Sequence, residues 1–265
     1  MIIKEEVLPI SGVNLEAQRI KQLLTDQGIT LVFLHEGLGC ISLWRDFPLK
    51  LSKKQKLPSF LYSRQGYCNS DSVPLTRPLT IMHKEGLVVL PKVLEQAGIE
   101  RAILVGHSDG ASIAIIYAGG ASEQKVEAMI LIAPHVFNEK KATESIRKAK
   151  IAFETTNLRD KLEKYHGKNV DCAFRGWNDV WLSKEFREWN IEQYLPNIKI
   201  PTLVVQGDND EYGTDKQIST IVNGIGGTCE VATIPQCGHS PHLEFESITL
   251  SSISNFLNKN IFFKK

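Results

Sequence analysis

The sequence predicts an α/β fold in which helices cover both faces of a mostly parallel sheet. Short apolar runs of strand length alternate with segments of helical periodicity along most of the chain, and this alternation is typical of parallel sheets. The first two strand-like runs instead follow one another directly, which indicates an antiparallel pair at one edge. An abrupt change from an apolar run to a buried helical pattern at Ser108 predicts a tight strand-to-helix turn.

The N-terminal part of the chain contains the edge pair and the first parallel strands. Ser11 and Gly12 separate the two edge strands and form a turn pair typical of hairpins. The predicted strands cover residues 2–10, 13–20, 30–34, 59–62 and 102–105. The predicted helices cover residues 43–51, 80–97 and 111–118.

A long insertion interrupts the alternation after the strand predicted at residues 128–133. The insertion, residues 135–196, is charged and helical in composition. The alternation then resumes with elements predicted at residues 202–206, 215–222 and 229–234, and with a helix from about Glu244. We therefore predict a core formed by residues 1–134 and 197–265 and a helical cap formed by residues 135–196.

The bulk composition indicates a globular protein with a small-molecule partner. Of 265 residues, 42% are hydrophobic and 23% are charged, which is ordinary for one large domain or two smaller ones. With 31 basic and 30 acidic residues, no charge excess points to a nucleic acid or an anionic membrane. The apolar runs are shorter than the about 20 residues of a membrane helix, and no signal peptide is evident. We expect a cytoplasmic protein, and its oligomeric state is unknown from the sequence.

The cysteines and histidines predict no metal site and no cofactor. The five cysteines are scattered and include no C-x-x-C pair, so we expect reduced thiols. His239 and His242 have an i, i+3 spacing, but no third ligand accompanies them at a recognisable spacing. Cys237, two residues before His239, is expected to fill space in the core.

Ser108 is the candidate nucleophile. It is the central residue of the pentapeptide GHSDG, which follows an apolar run and precedes a buried helical pattern. The two glycines lack a Cβ, so strand and helix can approach closely around a strained turn that exposes the Ser108 Oγ. The pentapeptide alone is common, and its position between strand and helix is what makes it informative.

A serine nucleophile requires a base to accept its proton and a carboxylate to orient that base. Asp208 and Asp210 follow the strand predicted at residues 202–206, and His239 follows the next predicted strand. Catalytic side chains of open α/β sheets collect at the carboxyl ends of the strands. On position alone, either aspartate could orient His239.

Four motifs make the chain resemble the α/β-hydrolase superfamily over nearly its whole length. They are HEGLG after the first parallel strand, GHSDG at the nucleophile, GDND after the insertion and GHSPH near the C-terminus. The order Ser, Asp, His is also the one expected for this superfamily. The resemblance implies an eight-stranded sheet with the cap between strands six and seven. It also implies a triad of Ser108, Asp210 and His239, which leaves Asp208 as a carboxylate that caps its loop.

Two backbone N–H groups are expected to bind the oxyanion of the reaction. The N–H of Asp109 follows the nucleophile and lies at a helix N-terminus, where the helix dipole favours negative charge. The resemblance implies that the second donor is the N–H of Gly37, with Leu38 as the alternative. Losing one such donor typically costs about 3 kcal/mol of transition-state stabilisation.

Leu38, Trp177 and Trp181 are candidates for the substrate pocket. A cap over the strand ends would form the roof of that pocket, so one or two of its aromatic rings would face the substrate. The alternative is that Phe174, Trp177, Trp181 and Trp189 only pack the cap against the core.

Two residues depart from the superfamily pattern. Glu36 stands where glycine is usual, and Cys68 replaces the second glycine of the stretch SRQGYCNSD. Glu36 either anchors its loop, which we favour, or faces the pocket, where it would disfavour anionic substrates and could hold an ammonium group. By resemblance, His35 and His107 are expected to brace loops. His242 is expected to pack against or cap the final helix.

The resemblance and the triad predict a serine hydrolase that forms an acyl-enzyme on Ser108 and cleaves a small ester, thioester or lactone. An acyltransferase or a hydrolase of carbon–carbon bonds could use the same triad. A ligand-binding receptor with a vestigial triad is the alternative from another class of protein. Because the nucleophile is a serine rather than an aspartate, dehalogenase and epoxide hydrolase chemistry are disfavoured.

Overall fold

The computed structural model describes residues 1–22 and 28–262 of the chain. Within these residues, eight strands form a single sheet. The strands are β1 (Ile2–Ile10), β2 (Val13–Lys21), β3 (Thr30–Leu34), β4 (Ser59–Tyr62), β5 (Ala102–His107), β6 (Val126–Ile132), β7 (Thr202–Gly207) and β8 (Cys229–Ile234). Their bounds agree closely with the predicted ones.

The spatial order of the strands is β1-β2-β4-β3-β5-β6-β7-β8. β2 pairs antiparallel with both β1 and β4, and the pairs from β4 through β3 to β8 are all parallel. The predicted sheet of eight mostly parallel strands with an antiparallel edge is therefore confirmed. β5 lies between β3 and β6, near the middle of the sheet. The turn after its carboxyl end is therefore flanked by the ends of these two strands.

Helices cover both faces of this sheet. They are α1 (Phe47–Gln55), α2 (Ile81–Lys84), α3 (Leu90–Gln96), α4 (Asp109–Gly120), α5 (Lys140–Thr155), α6 (Leu158–His166), α7 (Val170–Leu182), α8 (Asp215–Gly224), α9 (Pro241–Glu244) and α10 (Glu246–Leu257). None of the helices in the described part of the chain is both long and apolar enough to cross a membrane.

Two predicted helices differ from the observed ones. The helix predicted at residues 43–51 begins only at Phe47, with Pro48 in its first turn. Proline is tolerated there, whereas an earlier start would have placed it in the helix interior. The helix predicted at residues 80–97 is divided into α2 and α3 by a π-helical turn. In that turn Gly86 packs against Ile116 of α4.

Strand β5 shows how the sheet is buried on both faces. Leu104 belongs to the apolar cluster that includes α4, and its neighbour Ile103 belongs to the cluster that includes α1 and α10. Successive strand side chains point to opposite faces, and both of these are fully buried. This explains why β5 is a continuous apolar run rather than an alternating one.

Helices α5, α6 and α7 lie between β6 and β7, in the segment predicted as a cap. Phe153 of α5 stacks on Phe174 of α7, with ring centroids 3.7 Å apart. Trp177 of α7 packs directly on Gly37, which lies in the loop after β3. The segment therefore contacts a loop at the carboxyl end of the sheet, where the candidate site lies.

Replacing Leu104 with alanine is expected to lower the free energy of unfolding by about 2–5 kcal/mol, because the cavity left in a close-packed core cannot fully collapse. Ile151 on α5 is 55% exposed, so Ile151→Ala should change the same quantity by less than about 0.5 kcal/mol. Urea unfolding followed by circular dichroism measures both. Equal effects of the two substitutions would contradict the packing described for β5.

Candidate active site

Ser108 occupies the junction of β5 and α4. Its backbone has φ 52° and ψ −117°, a conformation that is strained for a residue with a Cβ. Its N–H donates to the carbonyl of Ile132 at 2.9 Å, and its carbonyl accepts from the N–H groups of Ala111 and Ser112. The chain thus turns sharply from strand to helix and leaves the Ser108 side chain at the carboxyl end of β5.

Close backbone packing accompanies this turn. A Cβ on Gly110 would overlap the carbonyl oxygen of Leu34 at the end of β3, and a Cβ on Gly106 would collide with the backbone of Ala111. A side chain at either glycine would therefore push α4 away from the sheet. The two glycines of the pentapeptide are required by packing around the Ser108 turn.

His239 connects Ser108 and Asp210. Its Nε2 lies 2.9 Å from the Ser108 Oγ, and its Nδ1 lies 2.9 Å from each carboxylate oxygen of Asp210. Asp210 follows β7, and His239 follows β8. The structure thus brings together the three residues that the sequence predicts as a triad, from the carboxyl ends of three strands.

Asp210 accepts hydrogen bonds from three further groups. These are the N–H of Tyr212 at 2.7 Å, the N–H of Gly213 at 3.3 Å and the side-chain amide of Gln206 at 2.7 Å. Burial opposes ionisation, but the hydrogen bond and charge of His239 hold the pKa of Asp210 below its ordinary value. The carboxylate therefore stays charged and fixes the proton of His239 on Nδ1, which leaves Nε2 free to accept the Ser108 proton.

The N–H groups of Gly37 and Asp109 belong to residues that line the cavity beside the nucleophile. Asp109 is the first residue of α4, and the first N–H groups of a helix have no intrahelical partner. The Gly37 N–H donates no hydrogen bond within the described part of the chain. Both groups are thus free to bind a ligand oxygen. Leu38 contributes its side chain to the same cavity, and its carbonyl contacts the His166 Nε2 at 2.9 Å.

A cavity of about 220 Å³ lies beside Ser108. The three predicted pocket residues, Leu38, Trp177 and Trp181, all line it. Its walls also include Glu36, His107, Asp109, His135, Ala142, Ile146, Glu211, Tyr212 and Ser240. The other two aromatic residues considered for the pocket, Phe174 and Trp189, are buried outside this lining. Two of the four aromatic residues therefore face the cavity.

Glu36 is part of the cavity wall and also packs on its own loop, because its carboxylate lies where a Cβ on Gly39 would be. Its side chain is 26% exposed, and its Oε2 lies 3.5 Å from the Nδ1 of His107. The carbonyl of Glu36 accepts a hydrogen bond from the Gly39 N–H at 3.1 Å. Burial disfavours the charge, but the neighbouring His107 lowers the pKa of Glu36. A carboxylate is thus held beside the site.

His35 and Arg64 hold the HEGLG loop from its buried side. The His35 Nε2 accepts from the Arg64 N–H at 3.0 Å, and its Nδ1 donates to the Glu36 carbonyl at 2.8 Å. The Arg64 guanidinium donates to the carbonyls of His35 and Glu36. Because burial and the charge of Arg64 lower the pKa of His35 well below its ordinary value, the imidazole is neutral. His107 likewise contacts a loop, with its Nε2 2.8 Å from the carbonyl of His239.

The remaining candidates lie outside the hydrogen-bonded row of Ser108, His239 and Asp210. Asp208 accepts a hydrogen bond from the Gln236 N–H at 2.7 Å, which is the loop-capping arrangement. His242 is buried, with its ring centroid 4.8 Å from that of Trp44. Cys237 is fully buried. Among the described residues, no cluster of His, Cys, Asp and Glu is arranged to hold a metal ion.

Six cavity residues were not identified from the sequence: His135, Ala142, Ile146, Glu211, Tyr212 and Ser240. His135 comes soon after β6, and its ring centroid lies 5.7 Å from that of His239. Burial lowers the pKa of His135 to about 3, so its imidazole is neutral. Its position after a strand end is a signal that could have found it, since such positions surround the site in this fold. Glu211 and Tyr212 directly follow Asp210.

Comparison with known sequences gives a family match and a distant relative. The sequence model of a family described as "alpha/beta hydrolase fold" matches residues 29–190. A Mycoplasma pneumoniae protein named "Putative esterase/lipase 2" is 24% identical over 245 residues, which cover 86% of this chain and 88% of that protein.

Solved structures share the fold across almost the whole chain. Proline iminopeptidase from Mycobacterium smegmatis has a TM-score of 0.74 at 16% identity, with 97% of this chain and 98% of that chain covered. The esterase EaEST from Exiguobacterium antarcticum has a TM-score of 0.74 at 17% identity, with 95% and 98% covered. At these identities the likeness concerns the fold alone.

Labelling of Ser108 by a fluorophosphonate probe is expected to accelerate as the pH rises through the pKa of His239. Burial lowers the basicity of this imidazole, but the adjoining Asp210 outweighs burial and raises the pKa of His239 above 6.5. Below that pKa the Nε2 is protonated and cannot accept the Ser108 proton. In Asp210→Asn we expect the midpoint to move to lower pH and the labelling rate to fall by roughly 10³-fold or more.

The matched control is Asp208→Asn, which removes a carboxylate from the same loop without touching His239. Its labelling rate and midpoint should equal those of the unchanged protein. Stopped-time labelling read by mass spectrometry measures each rate, and Ser108→Ala should show no label at this position. Equal behaviour of the two aspartate variants would contradict the assignment of Asp210.

Proposed function

The chain belongs to the α/β-hydrolase fold family, and from that premise we propose that it is a serine hydrolase of small esters, thioesters or lactones. The observation that carries the proposal is the row in which the His239 Nε2 lies 2.9 Å from the Ser108 Oγ and the Nδ1 lies 2.9 Å from Asp210. Such a row activates a serine hydroxyl at neutral pH. The relative named an esterase/lipase supports a hydrolytic activity.

In the first half of the reaction, the His239 Nε2 accepts the Ser108 proton while the Oγ attacks the substrate carbonyl carbon. The carbonyl oxygen becomes an oxyanion, and the N–H groups of Gly37 and Asp109 donate to it. The protonated Nε2 then donates to the leaving oxygen or sulfur. The alcohol or thiol departs, or in a lactone stays attached to the acyl group as a free hydroxyl, and the acyl group remains as an ester on Ser108.

In the second half, a water molecule takes the place of the leaving group. The His239 Nε2 accepts a proton from this water as its oxygen attacks the acyl carbon, and the same proton then returns to the Ser108 Oγ. The products are a carboxylic acid and the free enzyme. Asp210 remains ionised throughout and stabilises the imidazolium of each half-reaction.

The cavity limits the size and character of the substrate. Its volume is about 220 Å³, which is smaller than the pockets of roughly 300–1,000 Å³ typical of drug-sized ligands. Its apolar walls come from Leu38, Ile146 and the two tryptophans of α7. Short acyl or alcohol groups fit these dimensions better than long chains.

We expect the protein to hydrolyse p-nitrophenyl esters of short acids, with kcat/KM falling as the acyl chain outgrows the cavity. Ser108→Ala should lower kcat by roughly 10³-fold or more, because the acyl-enzyme can no longer form. Release of p-nitrophenol measures both rates. Absence of turnover for esters, thioesters and lactones in a protein with an intact circular dichroism spectrum would overturn the proposal.

The same assay distinguishes the related functions. In an acyltransferase, an added alcohol or thiol acceptor would divert the acyl group from the free acid to the acceptor ester, which mass spectrometry detects. A receptor with a vestigial triad would show neither hydrolysis nor labelling of Ser108.

A further inference from the structure

The cavity beside Ser108 has an excess of negative charge. Glu36, Asp109 and Glu211 line it, and none of the described residues in its lining is Lys or Arg. In the part of the chain that the structure describes, no Lys or Arg side chain forms an ion pair with any of these three carboxylates. His107 and Arg64 balance part of the charge of Glu36 and Asp109, and a cationic ligand would balance the rest.

Asp109 is the most enclosed of the three carboxylates, with 7% of the residue exposed. Its Oδ1 accepts a hydrogen bond from the Trp181 Nε1 at 3.2 Å, and its Oδ2 has no hydrogen-bond donor among the described residues. Burial raises the pKa of Asp109 to about 6, so the carboxyl is still ionised at neutral pH. The Oδ2 is therefore available to a ligand, and a cation beside it would favour the charged form of this carboxyl.

Arg64 neutralises the cavity only in part: its charge favours the ionised forms of Asp109 and Glu36, but it forms no ion pair with either carboxylate. Its guanidinium donates to backbone carbonyls of the HEGLG loop rather than to a carboxylate. It borders a smaller space behind the cavity, together with Asp109 and the buried Glu85. The carboxylates of Asp109 and Glu85 thus share this space with one guanidinium. Glu36 and Glu211 do not border it.

The histidines of the cavity do not supply a fixed positive charge. Burial lowers the pKa of His135 to about 3, so this imidazole is neutral. His239 must be neutral to accept the Ser108 proton. The imidazole of His107 contacts only Glu36 among the three carboxylates, at 3.5 Å.

Aromatic rings complete the walls beside these carboxylates. Trp177 and Trp181 come from α7, and Tyr212 comes from the loop after Asp210. Aromatic faces attract cations, and tryptophan does so most strongly. Carboxylates together with aromatic faces are the chemistry that recognises an ammonium group, whereas an anionic substrate would be repelled.

We propose that the substrate carries an alkylammonium group, which lies between the carboxylates of Asp109 and Glu36 and the indoles of Trp177 and Trp181. This inference rests on the proposed hydrolase function and specifies its substrate class as esters or thioesters of cationic acids or cationic alcohols. Glu211, which is exposed, adds negative charge that attracts such a cation toward the cavity.

Two pairs of substrates of matched shape test the proposal. p-Nitrophenyl 6-aminohexanoate and p-nitrophenyl heptanoate differ by an ammonium against a methyl group on the acyl side. Acetylthiocholine and 3,3-dimethylbutyl thioacetate differ by a quaternary nitrogen against a carbon on the leaving thiol. In at least one pair, kcat/KM should favour the cationic member by about tenfold or more.

The ratio of kcat/KM within a pair is the readout for the variants. Asp109→Asn and Glu36→Gln should each lower this ratio at least severalfold, because each removes one negative charge from the cavity. Glu123→Gln removes an equal charge from an exposed position and should leave the ratio unchanged. If one of the two cavity variants fails to fold, the other still provides the measurement.

A binding experiment separates this inference from the proposed function. n-Butylammonium should slow fluorophosphonate labelling of Ser108 at concentrations at which 1-butanol does not. Hydrolysis of the neutral substrates with no preference in either pair and no protection by n-butylammonium would overturn the cationic class and leave the hydrolase function standing. Protection by n-butylammonium without any hydrolysis would instead support the cation site and overturn the hydrolase function.

Discussion

The strained backbone of Ser108 between β5 and α4 is the constraint on which the site depends. With φ at 52°, the residue can turn the chain only because Gly106 and Gly110 allow α4 to approach the sheet closely. Packing thus offsets the local strain, which is otherwise of order 1–3 kcal/mol. The same turn places the Oγ at a strand end and starts α4 at Asp109, so one local geometry positions both the candidate nucleophile and an N–H without an intrahelical partner beside it.

The other catalytic candidates depend on that position because they come from separate loops. Asp210 is fixed by Gln206 and by two N–H groups of its own loop, so contacts other than the one with His239 set its orientation. His239 then has both ring nitrogens engaged, at 2.9 Å from its two partners. The hydrogen bonds that fix the carboxylate therefore also fix the imidazole relative to the Ser108 hydroxyl. A site whose groups are already in place needs little reorganisation during the reaction.

The sheet was predictable from local patterns in the sequence, and so were the positions of Ser108 and His239 after strand ends, whereas the choice of Asp210 over Asp208 came from the resemblance to the α/β-hydrolase superfamily. Continuous apolar runs give buried parallel strands, and the residues directly after them must lie at one edge of the sheet. The side-chain direction of Glu36 and the role of His135 were not predictable, since both depend on how the loops fold back over the strand ends. The start of α1 was misplaced because Pro48 outweighed the apolar periodicity before it.

The segment predicted as a cap contacts the loops that carry the candidate catalytic groups, so the proposed specificity and the proposed catalysis depend on some of the same residues. Trp177 packs where Gly37 would carry a Cβ, and the Trp181 Nε1 donates to the carboxylate of Asp109. These two tryptophans thus form part of the cavity wall and also contact the two residues whose N–H groups are proposed to bind the oxyanion. A change of either ring that reshapes the cavity also alters a contact of one of these two residues. Substrate preference in this protein is therefore constrained by the geometry that the chemistry requires.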